Sequence, residues 1–223
     1  MRRFLCLAIG TIAGLVWADY TGATAVRPPV EAGQTYNRPI KESGSLPGVS
    51  GPVEGWSYIG LSFFDELSLP NEKFDIRGLR LNLPMGAHHG VTGLDIGIFS
   101  NTVVQDAAGI SLAGGWTHLG YDSVGLFGAA LFNYAEGHVR GVQLALGYNT
   151  VQKTFKGVQI AAINNSLEAC GLQLGAVTLM VKGRGCQVGL FNYAEELSGL
   201  QIGLFNVVEF APLPYRPILS FSF

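Results

Sequence analysis

The chain has 223 residues, room for one domain with a sizeable core or one medium barrel. Only 13% of them are charged, against about 25% in ordinary domains, which argues against a disordered main body; 31 are glycine, against about 7% in ordinary domains, which with the many aromatics argues for strands and turns rather than helices. The formal net charge of -2 gives no reason to expect nucleic acid as a partner.

The N-terminus reads as a sorting signal. Met1-Arg2-Arg3 is a basic start, Phe4 to Trp17 is uncharged and mostly apolar, and Val16-Trp17-Ala18 offers a cleavage site after Ala18. Ala23 and Ala25 are the second candidates. The apolar run is short for a membrane-spanning helix. Cys6 lies too close to the arginines for a lipoprotein cysteine. Residues 1–18 are thus a signal peptide. Residues 19–55 form a flexible Gly/Pro/Ser-rich leader, with Arg27-Pro28-Pro29 and Ser43-Gly44-Ser45-Leu46-Pro47-Gly48. Residues 56–223 form a repeat-built β domain.

The repeat reads Gly141-Val142-Gln143-Leu144-Ala145, Gly157-Val158-Gln159-Ile160-Ala161 and Gly171-Leu172-Gln173-Leu174-Gly175. It continues as Gly185-Cys186-Gln187-Val188-Gly189-Leu190-Phe191-Asn192 and Gly199-Leu200-Gln201-Ile202-Gly203-Leu204-Phe205-Asn206. First glycines are 16, 14, 14 and 14 residues apart, a fixed period that marks a repeat architecture or a regular meander. Weaker copies begin at Gly78, Gly93 and Gly109. Each copy alternates with period 2 and is a strand. One face carries Leu or Ile; the other carries Gly, a polar residue, then Gly or Ala. The even spacings keep the polar position on one face. No charge falls on the Leu/Ile face of these copies, and the motif's two charges, Arg80 and Asp95, fall on the Gly/Gln face.

Tyr134-Ala135-Glu136-Gly137, Val181-Lys182-Gly183-Arg184 and Tyr193-Ala194-Glu195-Glu196 read as turns. Strand plus turn of about 14 residues suits a meander of eleven strands of about 9–11 residues. The main expectation is all-β: an antiparallel meander closed as a transmembrane β-barrel of about 10–12 strands. Its Leu/Ile face would meet lipid, where a charge near the midplane costs about 2–4 kcal/mol. Its Gly/Gln face would line a narrow lumen. Tyr134, Tyr148 and Tyr193 would form an aromatic girdle. The alternative is a β-solenoid of 14–16-residue repeats, with the Leu/Ile face as core and a Gln ladder outside. The odd strand number and the lack of long loops favour the solenoid.

The final strand, Leu219-Ser220-Phe221-Ser222-Phe223, alternates apolar and small residues and stops on Phe, as outer-membrane proteins commonly do. The tandem G-[VL]-Q-[ILV]-[GA]-L-[FY]-N pattern resembles bacterial surface-repeat proteins, closely over 141–206 and loosely over 78–133. That resemblance implies an outer-membrane or surface-exposed protein and carries over no catalytic residues.

No enzyme active site is apparent. His88-His89 could be half of a metal site, but adjacent histidines on a turn are usually loop residues. Asp65, Glu66, Glu72 and Lys73 read as a solvated loop rather than a catalytic carboxylate pair. No phosphate-loop, nucleophile-elbow or zinc-helix motif is present. Arg80 and Asp95 are expected to pair across neighbouring strands. Gln143, Gln159, Gln173, Gln187 and Gln201 are candidate polar-face residues, lining the lumen of a barrel as a hydrogen-bonded row. Metals and cofactors are not expected. The expected partners are the outer-membrane bilayer and, through the last strand, the barrel-assembly machinery. The expected role is a structural or small-pore surface protein of the outer membrane; the alternative is an exported solenoid for binding or adhesion, on the cell surface or secreted. Cys170 and Cys186 separate the folds: a hairpin holds them apart, whereas stacked 14-residue coils set them on adjacent rungs offset by two residues.

Overall fold

A computed structural model describes residues 53–63 and 67–222. The expected signal peptide, nearly all of the leader, Asp65, Glu66 and Phe223 lie outside the described residues.

Val, Ile, Leu, aromatic and Gly residues at period 2 make almost every segment from Gly55 onward a strand, and no helix occurs among the described residues. The strands are β1 (Gly55–Phe63), β2 (Leu67–Leu69), β3 (Phe74–Asn82), β4 (Met85–His88), β5 (Gly90–Gly97), β6 (Ser100–Val103), β7 (Ala107–Ala113) and β8 (Trp116–Leu119). They continue as β9 (Ser123–Ala129), β10 (Phe132–Ala135), β11 (Val139–Ala145), β12 (Tyr148–Ile160), β13 (Ile163–Leu174), β14 (Val177–Val188), β15 (Phe191–Val208) and β16 (Tyr215–Ser222).

These strands coil into a parallel β-solenoid of about nine turns. One wall is built from β3, β5, β7, β9 and β11, followed by the second halves of β12 to β15, each paired in parallel with the next. The other wall is β4, β6, β8 and β10, followed by the first halves of β12 to β15. The antiparallel barrel expected from the sequence is therefore replaced by the solenoid. The error lies in the pieces read as turns. Tyr134-Ala135 ends β10, Tyr193-Ala194 lies in β15, and Val181 to Arg184 lies within β14. The first two lie in a second wall and the third carries the chain from that wall back to the first, so none is a reversal and the chain returns to the first wall in the same direction. Among the described residues, antiparallel pairing is confined to the two ends: β2 on β1, and β16 on β15.

Register runs glycine to glycine from Gly78 to Gly199, and all nine glycines of this column have positive φ. Gly157 shows why the position is closed to other residues. Its φ of 140° suits only glycine, and a Cβ there would collide with the Gly141 carbonyl oxygen of the preceding rung. The column includes Gly125, a rung absent from the sequence repeat because Phe127 stands where other rungs carry a polar side chain.

The faces are also assigned differently from the solenoid alternative. The Gly/Gln face points into the coil, and the Leu/Ile face points out. Gln143, Gln159, Gln173, Gln187 and Gln201 are all buried, whereas Ile110 and Ile160 are 45% and 41% exposed. The physical reason is the in-register parallel stack. It holds each amide about 4.8 Å from its copies above and below, so buried glutamines satisfy one another.

The apolar part of the core gathers beside the polar columns. In the upper turns it includes Ile76, Val91, Val103, Leu119, Phe127, Val139, Val151 and Phe155. Beyond Gly157 the turns shorten from 16 to 14 residues. From Gln143, Asn149 is 6 residues on and Gln159 a further 10; from Gln173, Thr178 is 5 residues on and Gln187 a further 9. One residue is thus lost at each of the two corners, which leaves both walls in register. The smaller turn takes smaller fillers, with Ala169 and Ala194 around Met180 and Leu197.

Candidate functional site

The sequence-predicted polar residues occupy one inward column. Register places Arg80, Asp95, Ser111, Phe127, Gln143, Gln159, Gln173, Gln187 and Gln201 on successive rungs. From Gln143 on they form an amide ladder. Gln159 Nε2 donates to Gln143 Oε1 at 2.8 Å, Gln173 to Gln159 at 2.8 Å, Gln187 to Gln173 at 3.1 Å and Gln201 to Gln187 at 2.8 Å. At the top, Arg80 Nε and Nη2 each donate to an Asp95 carboxylate oxygen at 2.7 Å. Arg80 Nη1 donates to Thr102 O, and Asn82 Nδ2 and Ser111 Oγ donate to Asp95. Both charges are buried and fully engaged, so this bidentate pair is a structural joint, inaccessible to a ligand.

A second ladder runs along the corner where the walls meet. Asn133 Nδ2 donates to Asn149 Oδ1 at 2.9 Å, Asn149 to Asn164 at 3.0 Å and Asn192 to Asn206 at 2.7 Å. The same nitrogens of Asn133, Asn149 and Asn192 also reach the carbonyls of Leu144, Ile160 and Ile202, closing the turn. Sequence reasoning did not assign these asparagines a role. The signal was in the recurring [FY]-N of the repeat.

The remaining candidates separate. His88 is buried beside Ser62, at 3.5 Å from its Oγ, and His89 turns the other way to Asp75 at 3.2 Å. Burial first, then the charge of Arg80, pushes the His88 imidazole down to about 3, so it is neutral at ordinary pH. Lys73 is held by Glu54 at 3.2 Å on the surface. Among the described residues no three His, Cys, Asp or Glu side chains converge as a metal site. Cys170 and Cys186 lie outward on adjacent rungs, opposite Arg184 and Leu172 respectively, and both are free thiols. Burial raises the pKa of the Cys186 thiol.

What the coil presents outward is an apolar sheet. Its two columns run from Leu79 and Leu81 on β3 to Leu200 and Ile202 on β15, and β16 extends them with Phe221 and Leu219. They contain no charged residue. Next to them the corner exposes Ile98, Leu131, Leu146, Leu190 and Leu204, with Leu146 79% exposed. Gly128 interrupts one column and opens a shallow groove of about 520 Å³ between Leu112 and Leu144. On the opposite side of the columns, one outward position before the glycines, stand Arg77, Arg140, Lys156 and Arg184, all exposed. No acid shares that column, whose other members are Thr92, Ala108, Val124, Cys170 and Ser198. Acids appear in the next outward column, at Asp75, Asp106, Asp122, Glu168 and Glu196, two residues further from the apolar sheet.

The second wall carries an aromatic stack. Phe99 meets Trp116 edge-on at 4.8 Å, and Trp116, Phe132 and Tyr148 lie nearly parallel, with centroids 5.7 and 4.7 Å apart. Because the rings cover one another's faces, the stack serves packing between rungs rather than a flat platform for a ligand.

No family model, curated protein or solved structure matches the chain.

Proposed function

We propose that the chain is an exported, non-catalytic β-solenoid that binds the cell envelope through its outward Leu/Ile sheet. The observation that carries this reading is the sheet itself: two mainly aliphatic columns, free of charge over nine rungs, face outward and are exposed or half-exposed, while the polar residues of the same strands, glutamines from Gln143 on, point inward. Exposed apolar patches of this extent are often functional, as sites for a protein partner, a membrane or a ligand. The basic, apolar N-terminus and the likeness to bacterial surface-repeat proteins support export and an envelope location, the outer membrane first among them. The conspicuous polar side chains support a scaffold role, because they are consumed by the ladders and the Arg80–Asp95 joint.

Fractionation of the full chain, expressed with its N-terminus intact in a bacterial host with an outer membrane, tests the proposal. Wild type is expected in washed envelopes and to be released by alkaline carbonate, as a surface-bound protein is and an integral barrel is not. A triple variant Leu112→Asp, Leu144→Asp, Ile160→Asp is expected in the soluble periplasmic extract. Cytoplasmic recovery of wild type, or an unchanged distribution of the variant, refutes it.

A further inference from the structure

We propose that the partner of the Leu/Ile sheet is an anionic lipid surface, with Arg140, Lys156 and Arg184 set among the headgroup phosphates. This rests on the binding-module reading above and names its partner.

Three observations lead to a lipid. The first is extent. Rungs about 4.8 Å apart make the sheet about 38 Å long, and two columns on one strand face make it roughly 400 Å² in area before the corner leucines are added. It is a long, shallow, aliphatic surface, suited to lying in the interface plane of a bilayer. The second is the charge boundary. A single row holding cations and no acid runs beside the apolar columns, the arrangement that interfacial segments use to join acyl chains and phosphates at once. The third is local repulsion. Arg140 and Lys156 face each other directly across β11 and β12, an unfavourable like-charge pair. Among the described residues neither they nor Arg184 engage in an ion pair. Phosphates above the row would relieve that repulsion.

A second copy of the chain fits less well. Face-to-face two-fold pairing has two principal arrangements. With the two-fold along the strands, the cation row meets the cation row. With the two-fold along the solenoid axis, the row meets the exposed corner at Leu146 and Leu190. The first leaves like charges opposed, and the second buries charge on leucine.

Vesicle flotation of the purified full chain tests this, with phosphatidylglycerol-containing vesicles set against pure phosphatidylcholine. Wild type and variants share the same N-terminal segment, so differences between them report the solenoid. At about fivefold per cation near an anionic surface, the variant Arg140→Gln, Lys156→Gln, Arg184→Gln is expected to bind anionic vesicles about a hundredfold more weakly. Its binding to neutral vesicles is expected to be unchanged. These three side chains are exposed, so the fold is retained and far-UV circular dichroism should match wild type. The Leu112→Asp, Leu144→Asp, Ile160→Asp variant is expected to lose binding to both vesicle types.

Anionic-vesicle binding by the Gln variant equal to wild type overturns the lipid proposal. So does a lipid-free dimer in sedimentation that the Asp variant dissociates. The two proposals fail separately. Envelope retention that needs the sheet, without vesicle binding, overturns the lipid and leaves the binding module. Vesicle binding by a chain that is never exported overturns the envelope reading alone.

Discussion

Gly157→Ala is the sharpest test of the coil. Gly157 sits in the middle of the glycine column, between Gly141 and Gly171, with φ of 140°. A residue held in that region costs on the order of 1–3 kcal/mol by itself. The added methyl also points at the Gly141 carbonyl oxygen, with no flexible side chain in between to move aside. The rung must lift, which weakens its pairing with neighbours on both sides; one or two strained ladder bonds at about 1 kcal/mol each bring the total to about 2–5 kcal/mol. Ala161→Gly, a buried position in the same turn, is the control. It removes one methyl and adds backbone freedom, for about 1–2 kcal/mol. In urea unfolding followed by far-UV circular dichroism, with m of about 3 kcal/mol/M, the alanine variant should lower the midpoint by about 0.7–1.7 M and the control by about 0.3–0.7 M. In an antiparallel barrel, position 157 would be an ordinary strand site tolerant of alanine. Equal midpoints for the two variants refute the stacked-glycine reasoning.

Two further outcomes follow from the buried polar groups. Arg80→Met leaves Asp95 charged and buried with only Asn82 and Ser111 donating to it, and should cost about 3–5 kcal/mol; adding Asp95→Leu should recover much of that, and thermal melts of the single and double variants check it. His88 has a folded pKa of about 3, below the 6.5 of an exposed imidazole. The unfolded chain therefore binds the extra proton, and stability is complete above about pH 6.5 and falls toward pH 3. Between pH 6.5 and 5 the loss should be about 1.6 kcal/mol, and His88→Gln should flatten urea midpoints over that interval.

The class, the period and the two faces of the fold were legible in the sequence. Gly-x-Gln-x at even spacing sets strands with a charge-free aliphatic face, and Arg80 and Asp95 fall on the same column. The second wall was not legible. Tyr134-Ala135 and Tyr193-Ala194 look like turns because a short strand between two corners has the length and the polar flanks of a turn. Gly125 was hidden because the repeat was recognised by its polar residue, and Phe127 fills that place from inside the core. The asparagine ladder was visible as a recurring letter, but its role depends on stacking that only the coil supplies.

The sequence by itself determined that the apolar and amide residues lie on opposite faces. Alternation at period 2 fixes that whatever the strands pair with. Only the tertiary structure decided the direction of pairing and which face is inside. A strand plus a turn and one coil of a narrow solenoid both take about 14 residues, so spacing cannot tell an antiparallel meander from a parallel stack. Nor does hydrophobicity settle the inside, because glutamine is costly to bury alone and inexpensive in a register that sets each amide against its copy. Gln143 to Gln201 are interior for that reason, and the aliphatic residues that alternate with them form the outer surface.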